Sequence, residues 1–246
     1  MSGAGTEVRI DAPQGPLPTY VAEPEGDGPA PAVIVIHDAF GMTTDLRNQV
    51  GWLAGEGYLA AGPDLFHWGG KLRCIRTVMG EISAGAGRSF DEVEAVRSWL
   101  TAHPRCNGKV GVIGYCMGGG FALVLAPGHG FDAASVNYGT APKSAYTADF
   151  LRSACPVVGS FGGKDLMLRG AAGRLEASLQ EVGVDHDVKE YAPAGHSFLN
   201  DHDPADLPLA LSVLMKLPLP GMGFHEPSAA DAKARIVAFF DRHLRA

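Results

Sequence analysis

Cysteine is scarce in this chain, with four residues in 246: Cys74, Cys106, Cys116 and Cys155. None are paired as CxxC, so neither a disulfide framework nor a zinc site is expected, and reduced thiols fit the spacing better. No stretch of about 18 apolar residues occurs, which excludes a transmembrane helix from expectation. No basic stripe occurs either: 20 Lys and Arg stand against 27 Asp and Glu, a formal charge of −7, which argues against a nucleic-acid scaffold. The opening MSGAGTEVRI lacks the basic and apolar regions of a signal peptide, so a cytoplasmic protein is expected. Internal repeats, low-complexity tracts and clear linkers are also lacking. What remains is a chain with 46% apolar and 19% charged residues, the balance of a soluble globular protein, and long enough for a sizeable core. The expectation is a single domain over 1–246.

Apolar runs and helical patterns alternate along nearly the whole length. EVRI and LPTYVAEP read as an opening hairpin, and APAVIVIHD (30–38) is the continuous β-branched run of a strand buried on both faces. TTDLRNQVGWLAGEG carries Leu46, Val50 and Leu53 at helical spacing. YLAAGPDLF is the next strand, followed by helical segments over 71–83 and 89–103. Strand 109–114, helix 117–126, strands 132–139 and 155–162, helix 169–182, strand HDVKEYA and helix 228–244 complete the series. Such alternation predicts an α/β fold with a mostly parallel central sheet and helices on both faces. Residues 201–226, DHDPADLPLALSVLMKLPLPGMGFHE, break the pattern; they read as a lid or pocket wall, or as a surface helix against the core or a partner subunit.

The chemistry gathers at GKVGVIGYCMGGG. Gly114-Tyr115-Cys116-Met117-Gly118 has the form G-x-C-x-G, related to the G-x-S-x-G elbow that presents a nucleophile on a sharp turn between strand and helix. A thiol there sits at a helix N-terminus, where unpaired N–H groups favour a thiolate and can receive an oxyanion. The first oxyanion donor would be the N–H of Met117. A buried, inert cysteine in a glycine-rich turn is the alternative for the motif alone. Context weighs against it: Asp165 follows strand 155–161 and His196 follows strand 186–191, both at strand C-terminal ends where open parallel sheets build their sites. The order Cys116, Asp165, His196 is the nucleophile–acid–histidine order of α/β-hydrolases. The loop after strand 30–38 would give the second oxyanion N–H, from Ala39 or nearby Phe40, with Asp38 facing the site. His37 reads as a strand-end residue beside the site rather than as its base. Tyr138 and Phe40 are candidates for substrate binding, with a core-edge aromatic as the equal alternative for Tyr138.

Taken together, VIVIHDAFG, AAGPDLF, GKVGVIGYCMGG, VNYG, GGKD and AGHSF resemble the dienelactone hydrolase family of the α/β-hydrolases, over roughly residues 30 to 200. The resemblance implies a Cys116–His196–Asp165 triad that hydrolyses a small ester or lactone, with no metal or organic cofactor. It places Asp38 where the family has a glutamate that pairs with the resting thiol; aspartate is one methylene shorter. It also marks departures. Family members proper grip a substrate carboxylate with arginines, one of them soon after AGHSF, where this chain has Asn200, Asp201 and Asp203. The other lies on the helix after PDLF, where Arg73 and Arg76 are the candidates. A negative patch after His196 would repel a carboxylate, so a less anionic ester or lactone is expected. Other readings of the same residues are an acyl-thioesterase, a cysteine amidotransferase or protease, whose acid lies close to its histidine, and a hydrolase-like binding protein without turnover. The expected partner is the small-molecule substrate, in a monomer or homodimer, without nucleic acid or membrane.

Overall fold

A computed structural model describes residues 5–206 and 221–245. Its centre is an eight-stranded sheet in the order β1-β2-β4-β3-β5-β6-β7-β8. The strands are β1 (Thr6–Ala12), β2 (Gly15–Ala22), β3 (Ala30–Ile36), β4 (Leu59–Pro63), β5 (Cys106–Tyr115), β6 (Ala133–Asn137), β7 (Val157–Gly162) and β8 (His186–Tyr191). β1 and β2 form the expected hairpin, and β2 also meets β4 antiparallel; every pairing from β4 through β3 to β8 is parallel. All seven residues of β3 are buried, as its unbroken APAVIVI run requires for a strand covered on both faces.

The helices follow as α1 (Thr44–Gly55), α2 (Lys71–Ala84), α3 (Arg88–Thr101), α4 (Met117–Leu125), a one-turn α5 (Ala148–Leu151), α6 (Ala171–Val182) and α7 (Glu226–Leu244). They divide the core in two. On one face Val78, Val93, Phe121 and Leu175, from α2, α3, α4 and α6, pack with Val110 and Val112 of β5. On the other, Leu46 and Val50 of α1 and Ile236 and Phe240 of α7 pack with Val33, Val35 and Ile113. At about 25 cal/mol per Å² of apolar surface, these two layers supply the main driving force for folding.

Strand ends differ from the expected limits in a way that matters for the site. The run 30–38 leaves the sheet at Ile36, so His37 and Asp38 lie in the loop beyond β3. The run 132–139 likewise ends at Asn137, leaving Tyr138 beyond β6. The short 143–151 segment, a 3-10 turn followed by α5, has too few residues to show a helical period. The lid or pocket wall expected over 201–226 falls largely on 207–220, outside the described residues; its flanks form a 3-10 turn at Pro204–Asp206 and a bridge from Met222 to His196.

Candidate active site

β5 is central in the sheet, and its last residue hands the chain directly to α4 through Cys116. The backbone of Cys116 has φ 54° and ψ −113°, a conformation that an L-residue rarely holds, at a typical cost of about 1–3 kcal/mol. Surrounding hydrogen bonds enforce it. Cys116 N–H donates to Asn137 O at 3.1 Å, and Cys116 O accepts from Gly120 N–H at 3.0 Å and Thr140 N–H at 2.9 Å. The flanking glycines are steric necessities. A Cβ on Gly114 would stand 1.9 Å from Gly118 O, and one on Gly118 would stand 2.4 Å from Ile36 O. Strand and helix can therefore close on each other only without side chains at both positions. Met117 is the first residue of α4, and its N–H has no acceptor among the described residues.

His196 stands beyond β8. Its Nδ1–H donates to Asp165 Oδ2 at 2.6 Å, and both side chains are buried, at 2% and 1% exposure. The other carboxylate oxygen of Asp165 accepts from Met167 N–H at 2.9 Å and Leu168 N–H at 3.3 Å, so the acid is fixed from two sides. The His196 backbone is held by residues 221–223: its N–H donates to Gly221 O at 2.7 Å, and its carbonyl accepts from Gly223 N–H at 2.9 Å. Nε2 is buried and has no hydrogen-bond partner among the described residues. Burial alone would lower the His196 pKa. The hydrogen bond that His196 donates to Asp165 and the neighbouring Cys116 side chain outweigh it and push the value up to about 9.

On the β3 side, Asp38 Oδ1 accepts from Phe40 N–H at 2.7 Å, which commits that N–H to the turn. Ala39 N–H has no acceptor among the described residues, so of the two candidate donors Ala39 is the one left available. His37 is kept neutral. Burial lowers its pKa; Nδ1–H donates to Asp38 O at 2.7 Å while Nε2 accepts from Leu65 N–H at 3.2 Å, a pattern only the uncharged ring can satisfy.

The second oxygen of Asp38 does not wait for a thiol. His202 Nε2 lies 3.0 Å from Asp38 Oδ2, with both side chains nearly closed to solvent. The contact is a close ion pair rather than a well-aligned hydrogen bond, since neither ring nitrogen of His202 has a partner of good geometry among the described residues. The segment after AGHSF thus places a histidine, not only carboxylates, against the site. Asp45, in the first turn of α1, accepts from Asn200 Nδ2 at 2.6 Å and from Asp201 N–H at 2.9 Å. Burial raises the Asp45 pKa against the opposing effect of these bonds. Asn200 Oδ1 in turn accepts from Tyr138 O–H at 2.5 Å.

Tyr138 has no exposed surface and packs its ring 5.2 Å from that of His196. It packs edge-on against the histidine within the core rather than facing an open pocket. Phe40 meets His202 edge-on at 4.8 Å. Arg73 and Arg76 are exposed on α2; Arg73 stacks 5.6 Å over Trp68, which Arg88 also approaches at 5.1 Å. No contact joins either of these two arginines to Cys116, His196 or Asp38 among the described residues. Sequence reasoning missed the structural weight of Asp45 and His202. Asp45 looks like an ordinary first-turn acid after Thr43, and nothing in the spacing of DHD marks its histidine.

A mostly parallel sheet with its candidate nucleophile on a strand–helix elbow and its acid and histidine at later strand ends defines an α/β-hydrolase. The dienelactone hydrolase family model matches residues 17–244, and the chain belongs to that family. The carboxymethylenebutenolidase of Pseudomonas putida is 29% identical over 180 residues, spanning 69% of this chain and 75% of the relative. The structure of the dienelactone hydrolase-like promiscuous phosphotriesterase P91 from metagenomic libraries superposes with a TM-score of 0.78 at 23% identity, covering 98% of this chain and 99% of the other. At 12% identity, Pyrococcus horikoshii acylaminoacyl peptidase shares the fold with a TM-score of 0.72, over 99% of this chain and 42% of the larger enzyme. Among the described residues, no helix is long and apolar enough to cross a membrane.

Proposed function

We propose that this hydrolase cleaves a small ester or lactone through Cys116, His196 and Asp165, by way of a thioester acyl-enzyme. The observation that carries the reading is the orientation of His196: Nδ1 is occupied by Asp165 at 2.6 Å, while Nε2 is left unpaired with the Cys116 thiol as its neighbour. In acylation, the Cys116 thiol gives its proton to Nε2, the sulfur forms a bond to the carbonyl carbon and the C–O bond to the leaving alkoxide breaks. The proton on Nε2 passes to that alkoxide. In deacylation, Nε2 takes a proton from water, the hydroxide attacks the thioester, and the C–S bond breaks to release the acid and regenerate the thiolate. The negative oxygen of each tetrahedral intermediate is received by the N–H groups of Met117 and Ala39; losing one such donor typically costs about 10²–10³ in rate.

Substrate charge follows from the occupied groups. Asn200 stands where the family would place an arginine, and its amide is spent on Tyr138 and Asp45. Asp38 and His202 face each other. Among the described residues no uncommitted cation contacts Asp38, Asn200 or His202, and the reading is of an ester or lactone without a free carboxylate. A cytoplasmic location is part of this reading, supported by the four free cysteines, Cys74, Cys106, Cys116 and Cys155.

The test is turnover of p-nitrophenyl acetate by Cys116→Ala, with intact-mass detection of an acetylated enzyme in the wild type. Turnover should vanish and the adduct should map to Cys116. Undiminished hydrolysis by the alanine variant would overturn the reading.

A further inference from the structure

Two loops must be held in register for this site to work. One carries Ala39 after β3 and the other carries His196 after β8, and the two strands lie at different places in the sheet order. Asp38 organises the first loop. Its Oδ1 accepts from Phe40 N–H, and its carbonyl accepts from Gly41 N–H at 3.3 Å, so the turn that presents Ala39 is built around this one residue. The remaining carboxylate oxygen meets His202, which belongs to the second loop, six residues on from His196 in the sequence. His202 also packs edge-on against Phe40 of the first loop.

We infer that His202 is a positioning residue for the oxyanion hole: its ion pair with Asp38 fixes the 38–41 turn, and with it the Ala39 N–H, against the loop that carries His196. This rests on the proposed cysteine mechanism and adds a residue that neither touches the substrate nor moves a proton. Each carboxylate oxygen of Asp38 already holds a neighbour, Phe40 N–H on one and His202 on the other.

Burial alone would lower the His202 pKa, but the contact with Asp38 outweighs it and raises the value. Among the described residues, the charged groups that act on His202 most strongly are Asp38 from the loop after β3, Asp45 from α1 and Asp201 from its own loop. Lys233 of α7 also feels the charges of Asp45 and Asp201. A histidine whose folded pKa is raised holds its clamp below that pKa and weakens it as pH rises through it. The oxyanion hole should therefore loosen on the alkaline side.

The experiment compares wild type, His202→Gln, Asp38→Asn and the double variant on a neutral p-nitrophenyl ester from about pH 6 to pH 10, with iodoacetamide alkylation of Cys116 measured in parallel. Loss of the clamp displaces a donor without deleting it, so kcat in H202Q should fall about tenfold, less than the ~10²–10³ of outright removal, with KM little changed. The alkaline limb assigned to His202 should be missing from the H202Q profile. The double variant should be no slower than the worse single variant, as expected for two halves of one contact. Alkylation, which needs the nucleophile but not the oxyanion hole, should keep its wild-type rate. Three results would overturn the inference: a wild-type kcat and pH profile in H202Q, losses that multiply in the double variant, or alkylation slowed along with turnover. Failure of the cysteine mechanism itself would show separately, as turnover surviving in Cys116→Ala.

Discussion

Asp165 and His196 are 31 residues apart in the chain, yet Oδ2 and Nδ1 lie 2.6 Å from each other, closed off from solvent. The carboxylate is tied to two backbone N–H groups on its far side, so it cannot follow the imidazole if the ring moves. One tautomer and one ring orientation are thereby imposed.

Asp165→Asn should break this control. The amide keeps the shape but lets the ring adopt the other tautomer, and kcat should fall by about 10²–10⁴ by analogy with triad acids in general. The His196 pKa should drop from about 9 toward its ordinary value, since burial then acts with less opposition. Imidazole titration by NMR, alongside steady-state kinetics, reads both effects.

The same raised pKa links folding to pH. The unfolded ring titrates near the ordinary 6.5 and the folded one at about 9, so the stabilisation is complete below the first value and lost as pH climbs through the second. Urea unfolding at successive pH values should show stability declining across that window in the wild type. The decline should be shallower in His196→Gln.

Gly114→Ala should prevent folding or cost more than about 3 kcal/mol, because its Cβ would overlap the Gly118 carbonyl and no flexible side chain is there to yield. Thermal unfolding by circular dichroism is the check. A variant as stable as the wild type would mean that the elbow is looser than its backbone contacts imply.

Tyr138→Phe removes the hydroxyl that donates to Asn200 Oδ1 and leaves a buried acceptor unpaired, at a cost of about 1–3 kcal/mol. Asn200 also holds Asp45, so the loop following His196 loses an anchor. The expected outcome is a lower melting temperature together with a lower kcat, measured on the same preparation.

Arg73→Ala should leave the ratio of kcat/KM for an anionic and a neutral ester unchanged, because this exposed arginine is stacked on Trp68. Paired assays with a carboxylate-bearing and an uncharged p-nitrophenyl ester measure that ratio directly.

The fold was largely readable from residue order. Unbroken Val and Ile runs such as APAVIVI announce strands covered on both faces, and all seven of those positions are buried. The candidate nucleophile, acid and histidine were readable because each sits at a strand end beside glycines that only a tight turn explains. The links among α1, the Tyr138 loop and the 196–202 loop were not. Asp45 and Asn200 are 155 positions apart, and no periodicity reports a contact made by folding alone. Tyr138 suggested a pocket wall because aromatic residues at strand ends often line one, whereas its hydroxyl reaches an interior amide. Asp201 and Asp203 read as a negative patch after His196, which drew attention from the histidine between them that meets Asp38.

The left-handed backbone at residue 116 has a consequence for the history of such chains. Glycine would relax there, so a descendant freed from the need for turnover could gain cohesion simply by losing its sulfur. Persistence of a side chain at this point in the turn is therefore a mark of continuing selection for chemistry, and inactive offshoots of this architecture should be recognisable by a relaxed residue in its place.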